Sequence, residues 1–520
     1  MTRPPQPVTG HPAAAAPLSP DAGGKVVIIG AGIAGLACGC YLRMNGIPTE
    51  IIEAADQPGG LCTAWQRGPY IFDGCLRWLI GAQAPSAFYQ IWTELGALAG
   101  RQVFIRKDML RIEWADGRSL DVPTDLDRLA QVFKQLAPED GARIDTLVRD
   151  ARRCAPLEPP LEKPIELMNP LQRLRLGLRY WFIVPVVLRY KNLPITACAA
   201  RFKNPALREV LKIIVGNDDM SALVLVMLLA FRTRNNTGFV AGGSWGFSGA
   251  IASRYQNLGG GLRLNTRVTA IKVDGGRAVG VECDDGTFVP AARVVSCADG
   301  YTTIFKLLGG RFVNKRIRFF YEQCQPFPGV VQVSLGVKKV FPEAPHTLNL
   351  PVRQPLRVDD RTVHERLELE VFGAASGFCP EGTTMMTVRL PARYEYWRNL
   401  KTLDPARYRA EKTRLLQEIV STLEGRFPGL AAQIERSDIA TPATYERYTG
   451  NWQGSYEGWL PTPRILGRRI PCTLPGLENF YMAGHWVVAG GGLPSSALAG
   501  RYVAQMICAA AGKTFTATTP

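Results

Sequence analysis

The tightest constraint on this chain is a short run near its start, where Lys25-Val-Val-Ile-Ile-Gly30 leads straight into Gly30-Ala-Gly32-Ile-Ala-Gly35. A β-branched apolar run of that length predicts a strand, and the stretch from Leu36 to Met44 that follows predicts a helix. Each glycine has its own task. Gly30 permits the tight turn, Gly32 lets the backbone approach a pyrophosphate, and Gly35 lets the helix pack closely on the sheet. The helix N-terminus then faces the phosphates. A second strand, Ile47 to Ile52, ends at Glu53, about twenty residues on, where an acid can accept from ribose hydroxyls. Strand, turn, helix, strand and acid in this order predict a Rossmann-type dinucleotide site and leave open which dinucleotide it takes.

A chain of 520 residues exceeds the usual single-domain size several times over, so two intertwined domains are expected. Its 46% hydrophobic and 20% charged residues suit a folded enzyme and exclude a disordered chain. The net charge of +16 calls for an anionic partner, but no run of five Lys/Arg and no zinc-finger or RNA-binding signature accompanies it. Nucleic acid is therefore set aside, and a membrane surface remains. Twelve scattered cysteines without CxxC pairing read as free thiols of a reducing compartment. Residues 1–24, rich in Pro, Ala and Gly, read as a disordered tail. With no apolar run of 18 residues, the expectation is a cytoplasmic protein that can rest on a membrane without spanning it.

After Glu53, Ala54-Ala-Asp-Gln-Pro-Gly59-Gly60 adds a second glycine pair before Leu61. Here the chain resembles the flavoprotein superfamily of amine oxidases, phytoene desaturases, carotenoid isomerases and retinol saturases, in which such a pair follows the ribose-binding acid. Tyr70-Ile-Phe-Asp73-Gly74 resembles the Phe-Asp-Gly stretch of the desaturase and saturase branch, and Leu61 stands where amine oxidases commonly carry Arg. Gly242-Gly-Ser-Trp-Gly, a helix from Ser248 to Leu258, and the strand at Val268 resemble the family's middle FAD segment. By that resemblance a β-meander follows through Ala278–Glu282, a hairpin turn at Asp285-Gly286, and Ala292–Ser296.

The C-terminal run is the most specific. Leu477 to Ala483-Gly484-His485-Trp486 predicts a strand, then come Gly490-Gly491-Gly492-Leu493-Pro494-Ser-Ser-Ala497 and an apolar helix from Leu498 to Ala509. Pro494 and the serines suit a helix start, whose positive end would stabilise the charge of a reduced flavin. The family usually has an acid where His485 stands, and His485 is expected to donate to a phosphate instead. The cofactor contacts so implied are Gly30, Gly32, Ile33, Ala34, Gly35, Glu53, Gly59, Gly60, Leu61, Val268, Gly484, His485, Gly492, Leu493, Pro494 and Ala497. No metal site and no catalytic residue is assigned.

The fold class expected is α/β, a Rossmann-type FAD-binding domain in discontinuous segments plus an α+β substrate domain. Residues 25–115, 242–305 and 466–512 form the cofactor domain, 116–241 and 306–465 the substrate domain, and 513–520 a tail. Tyr180 to Leu188, flanked by Arg173, Arg175, Arg179, Arg189 and Lys191, reads either as a monotopic membrane contact or as a core helix with a charged rim. Met220 to Phe231, apolar on every side, reads as core or tunnel lining. Tyr456 and Glu457, in an aromatic and glycine-rich loop, are conceivable proton donors but read more naturally as part of a packed turn. Only one GxGxxG precedes a suitably placed acid, so electrons would pass to a diffusible acceptor and not to a bound nicotinamide. The function implied is FAD-dependent formation, saturation or isomerisation of a C=C bond in a lipophilic, carotenoid- or retinoid-like molecule, by hydride transfer at flavin N5. A flavin amine oxidase and a non-catalytic prenyl carrier of the same fold are the alternatives.

Overall fold

Val26–Ile29, buried along its whole length, is the middle strand of a five-stranded parallel sheet. Its order is Gly261–Arg263, Thr49–Ile52, Val26–Ile29, Arg293–Ser296, Phe480–Met482, so three distant parts of the chain supply one sheet. The computed structural model describes residues 24–233 and 236–520, and the expected tail at residues 1–24 lies outside them except for Gly24. The helix Ile33–Met44 begins at the glycine loop and packs against the C-terminal helix Gly492–Ala510. Their crossing is tight enough that a Cβ on Gly500 would lie 2.4 Å from the Ala34 carbonyl oxygen.

The strands Val268–Asp274, Arg277–Cys283 and Phe288–Pro290 form an antiparallel meander whose turn holds Gly286 in the left-handed region. The expected fourth member departs from this layer. Arg293–Ser296 instead pairs in parallel between Val26–Ile29 and Phe480–Met482, because its Val294 and Val295 are fully buried in the Rossmann core. The middle helix also starts earlier than the sequence suggests, at Gly243. Asp73 explains this, since its carboxylate accepts from the Ser244 amide at 2.6 Å and the Ser244 hydroxyl at 2.7 Å, an anion at a helix N-terminus.

The second layer is a seven-stranded sheet in the order Ile434–Ala440, Gly329–Val337, Thr384–Ala392, Val363–Phe372, Thr347–Arg357, Asp108–Glu113, Ser119–Pro123. Asp108–Glu113 thus pairs in this sheet, although the expected first cofactor segment ran to residue 115. Along Val363–Phe372 the two-residue period sorts the side chains. Leu367 and Leu369 enter the core beneath the helices Tyr394–Leu403 and Pro405–Arg426, while Arg366, Glu368 and Glu370 face a cavity. A helical layer closes the other side. In its helix Ala222–Arg232, Leu225, Val226 and Leu229 are core, and Leu223, Val224, Met227, Leu228 and Phe231 line the cavity, so both readings of this segment hold.

Candidate active site

A continuous cavity of about 2470 Å³ runs from the glycine loop to the helical layer. At its cofactor end Gly30 has φ +94°, which turns the chain sharply after the first strand. A Cβ on Gly35 would sit 2.0 Å from the Gly30 carbonyl oxygen, whereas one on Gly32 would meet no protein atom within 4 Å and would project into open space. The first glycine requirement is internal packing and the second is room for a ligand. No acid occupies the first turn of Ile33–Met44 and no side chain caps it, so its leading amides are left for an anion.

The second glycine pair folds back onto the first. Gly59 donates to the Ala31 carbonyl at 2.9 Å, and a Cβ on Gly60 would come within 3.2 Å of the Gly32 Cα. Glu53 fixes the same loop by accepting from the Ala31 amide at 2.7 Å and the Ala55 amide at 2.9 Å, and it lines the cavity. Of the expected contacts, all but Gly35 and Ala497 lie on the cavity wall. Those two are packing positions: Gly35 abuts Gly30, and Ala497 is fully buried in the C-terminal helix.

His485 reaches the wall, and its Nε2 lies 3.2 Å from Asn451 Oδ1, which also accepts from Trp486 Nε1 at 2.9 Å. Burial pushes its pKa down to about 4, so the ring is neutral and donates to Asn451 through Nε2–H. Glu457 lies against the start of Gly492–Ala510, since a Cβ on Gly492 would be 3.1 Å from its Oε1. Burial raises its pKa to about 7, only partly countered by Arg77. Tyr456 beside it opens 37% of its surface to the cavity and is likewise pushed up by burial.

Several wall residues escaped the sequence reading. Asp299, just past the strand Arg293–Ser296, accepts from the Thr302 amide at 2.7 Å and the Trp452 amide at 2.9 Å, and burial lifts its pKa to about 6. On another part of the wall Arg77, Trp78, Arg106, Arg232, His346, Glu368, Glu370 and Arg389 converge. Arg77 and Arg389 both pair with Glu370, and Arg77 also with Glu368. Burial opposes charge on Glu370, but Arg77, Arg389 and His346 overcome it and hold the carboxyl at about 2. These residues come from two strands, a helix and three loop segments, and no local spacing announces them.

Free helix-start amides, glycines with open space above them and an acid on the cavity wall fit a bound FAD. The parallel sheet, this cradle and the attached chamber define a dinucleotide-binding enzyme fold. Comparison with known proteins makes the class specific. The family model for flavin containing amine oxidoreductases matches residues 33–508. Prolycopene isomerase of Arabidopsis thaliana is 24% identical over 94% of this chain and 83% of its own length. A lycopene-forming phytoene desaturase of Paracoccus sp. is 27% identical, but over 54% of this chain and 56% of that protein, so this chain spans about half the length of that relative. Among solved structures, cyclohexylamine oxidase from Brevibacterium oxydans superposes with a TM-score of 0.60 at 15% identity, covering 94% of this chain and all of that one. The chain belongs to the flavin containing amine oxidoreductase family, and it is an FAD-dependent oxidoreductase.

Proposed function

We propose that this enzyme forms, saturates or isomerises a C=C bond in a lipophilic, carotenoid- or retinoid-like substrate, and that the hydride moves to or from flavin N5. The observation that carries this reading is the continuity of one chamber of about 2470 Å³ from the glycine cradle to the apolar wall of Ala222–Arg232, which offers a lipophilic substrate room beside the cofactor cradle. The named activities of the two relatives, a desaturase and an isomerase of carotenoids, support the substrate class. When bound, FAD supplies the hydride chemistry. The chain's own part is to hold the dinucleotide on the amides after Gly32, to enclose the reacting bond away from water, and to present Glu457 as a group that exchanges a proton near neutral pH. In the bond-forming direction electrons then leave to a diffusible acceptor, in saturation a diffusible donor supplies them, and in isomerisation they return to the substrate. An ammonium substrate is disfavoured where Arg106 and Arg232 face the chamber, each with an unpaired Nε among the described residues.

The domain division stated above is part of this proposal, with the first boundary moved ahead of Asp108. So is contact with a membrane surface. Leu171, Leu174 and Leu178 share one face of the helix Pro170–Arg179, and with Trp181 and Leu188 they are 55–78% exposed beside Arg173, Arg175 and Arg179. Apolar side chains so exposed, ringed by cations, suit an anionic lipid interface. No helix among the described residues is long and apolar enough to cross a membrane.

The deciding experiment is anaerobic mixing of the FAD-loaded protein with a panel of polyenes, followed by the flavin absorption band and by product chromatography. Bleaching of the band with a change in the polyene's double-bond count or geometry supports the reading. Bleaching by amines alone refutes it.

A further inference from the structure

Four arginines and two glutamates meet on one wall of the chamber, and the pairing between them is incomplete. Arg77 and Arg389 are taken up by Glu368 and Glu370. Among the described residues Arg106 and Arg232 bond to no carboxylate, and the Nε of each has no hydrogen-bond partner. Both line the cavity. Burial lowers the pKa of each to about 10, which still leaves them cationic at neutral pH. Arg77 adds repulsion to Arg232, and Glu370 attracts Arg106 without bonding it, so among the described residues this corner carries more positive than negative charge.

The geometry favours an incoming anion. Arg232 stacks on Trp78 with its guanidinium carbon 4.4 Å from the ring centroid, and Arg106 lies 5.9 Å above Phe239. A guanidinium stacked on a ring keeps its in-plane N–H groups free, and these match a carboxylate bidentately. His346 beside them is neutral, donates Nδ1–H to the Val371 carbonyl, and contributes no negative charge. An enclosed unpaired cation is costly, and a cavity that retains two of them is arranged for a partner that arrives with the ligand.

We propose that Arg106 and Arg232 bind the carboxylate end of the substrate, so that the chamber takes polyene or acyl-chain acids in preference to uncharged hydrocarbons. This rests on the reading that the chamber holds a lipophilic chain. The carboxylate docks at the arginine pole and the chain lies along Met227 and Val224.

The test uses the FAD-loaded protein and two matched probes, all-trans-retinoic acid and its methyl ester, with binding followed by tryptophan fluorescence quenching at pH 8. The acid is expected to bind at least about tenfold more tightly than the ester, as charge-assisted hydrogen bonds allow. R106Q and R232Q should each remove most of that preference while leaving ester affinity unchanged, and R232K should keep part of it. Ester binding as tight as acid binding overturns the carboxylate site while leaving the lipophilic chamber intact. Equal weakening of both probes by the glutamine variants also overturns it, since that marks a packing role. Failure of both probes to bind overturns the chamber reading as well.

Discussion

At the scale of single residues, two glycines three positions apart separate folding from cofactor binding. Gly35→Ala forces a methyl group to within 2.0 Å of the Gly30 carbonyl, so the variant should lose about 1–3 kcal/mol of stability together with its flavin. Gly32→Ala meets no protein atom. It should fold with an unchanged circular dichroism spectrum and melting temperature when FAD-free, yet bind FAD at least about tenfold more weakly, since a methyl there costs on the order of 1.4 kcal/mol or more of contact with the ligand. Paired melting curves and flavin titrations check both. Glu457 gives a pH-dependent expectation. Its folded pKa, about 7, lies above the ordinary 4.5, so the folded state binds more protons than the unfolded chain between those values, and its contribution falls as pH rises through that window. Glu457→Gln should match the parent at pH 5 and melt about 1–3 °C higher than it at pH 8. A constant difference across the range would show that Glu457 ionises in the ordinary way.

At the scale of elements, the exposed helix Pro170–Arg179 makes a separable prediction. Replacing Leu171, Leu174 and Leu178 with Gln should abolish co-sedimentation with phosphatidylserine vesicles and leave the melting temperature within about 1 °C, because these side chains are not part of the core. Retained vesicle binding would refute the membrane contact. Elements also show what was legible from sequence. Val26–Ile29, its glycine turn and the following helix are local signals, and each forms where its pattern places it. Arg293–Ser296 was read as a strand but assigned to the wrong sheet, since its partners lie 200 residues or so away on either side and pairing is a tertiary choice. The start of Gly243–Asn257 was misjudged for the same reason, as its cap, Asp73, comes from a distant loop. The arginine pole was invisible, because an alternating strand such as Val363–Phe372 tells which residues share a face and not what that face meets.

At the scale of the whole molecule, a buried clamp joins the two ends of the chain. Arg501 of the C-terminal helix pairs with Glu94, which also accepts from Tyr41 at 2.7 Å on the N-terminal helix, and the Arg501 guanidinium lies 4.8 Å from the Tyr41 ring centroid. Both charged side chains are only 6% exposed. Glu94→Ala strands a buried cation and should cost about 3–5 kcal/mol, read as a lowered urea midpoint, whereas the double change of Glu94 and Arg501 to Gln and Met should recover much of it. Additive losses in the double variant would show that the two residues do not act together.

The three-segment sheet has a further consequence, for the order in which a ribosome delivers the parts. The glycine turn emerges early, but the edge strand Phe480–Met482 and the helix that packs on Ala34 come last. At about 5–20 residues per second the nascent chain waits on the order of half a minute or more with its phosphate cradle made and its opposite wall missing. Flavin capture is therefore a post-translational event for this architecture, and a cell short of FAD would accumulate complete chains with an empty cleft and not stalled fragments.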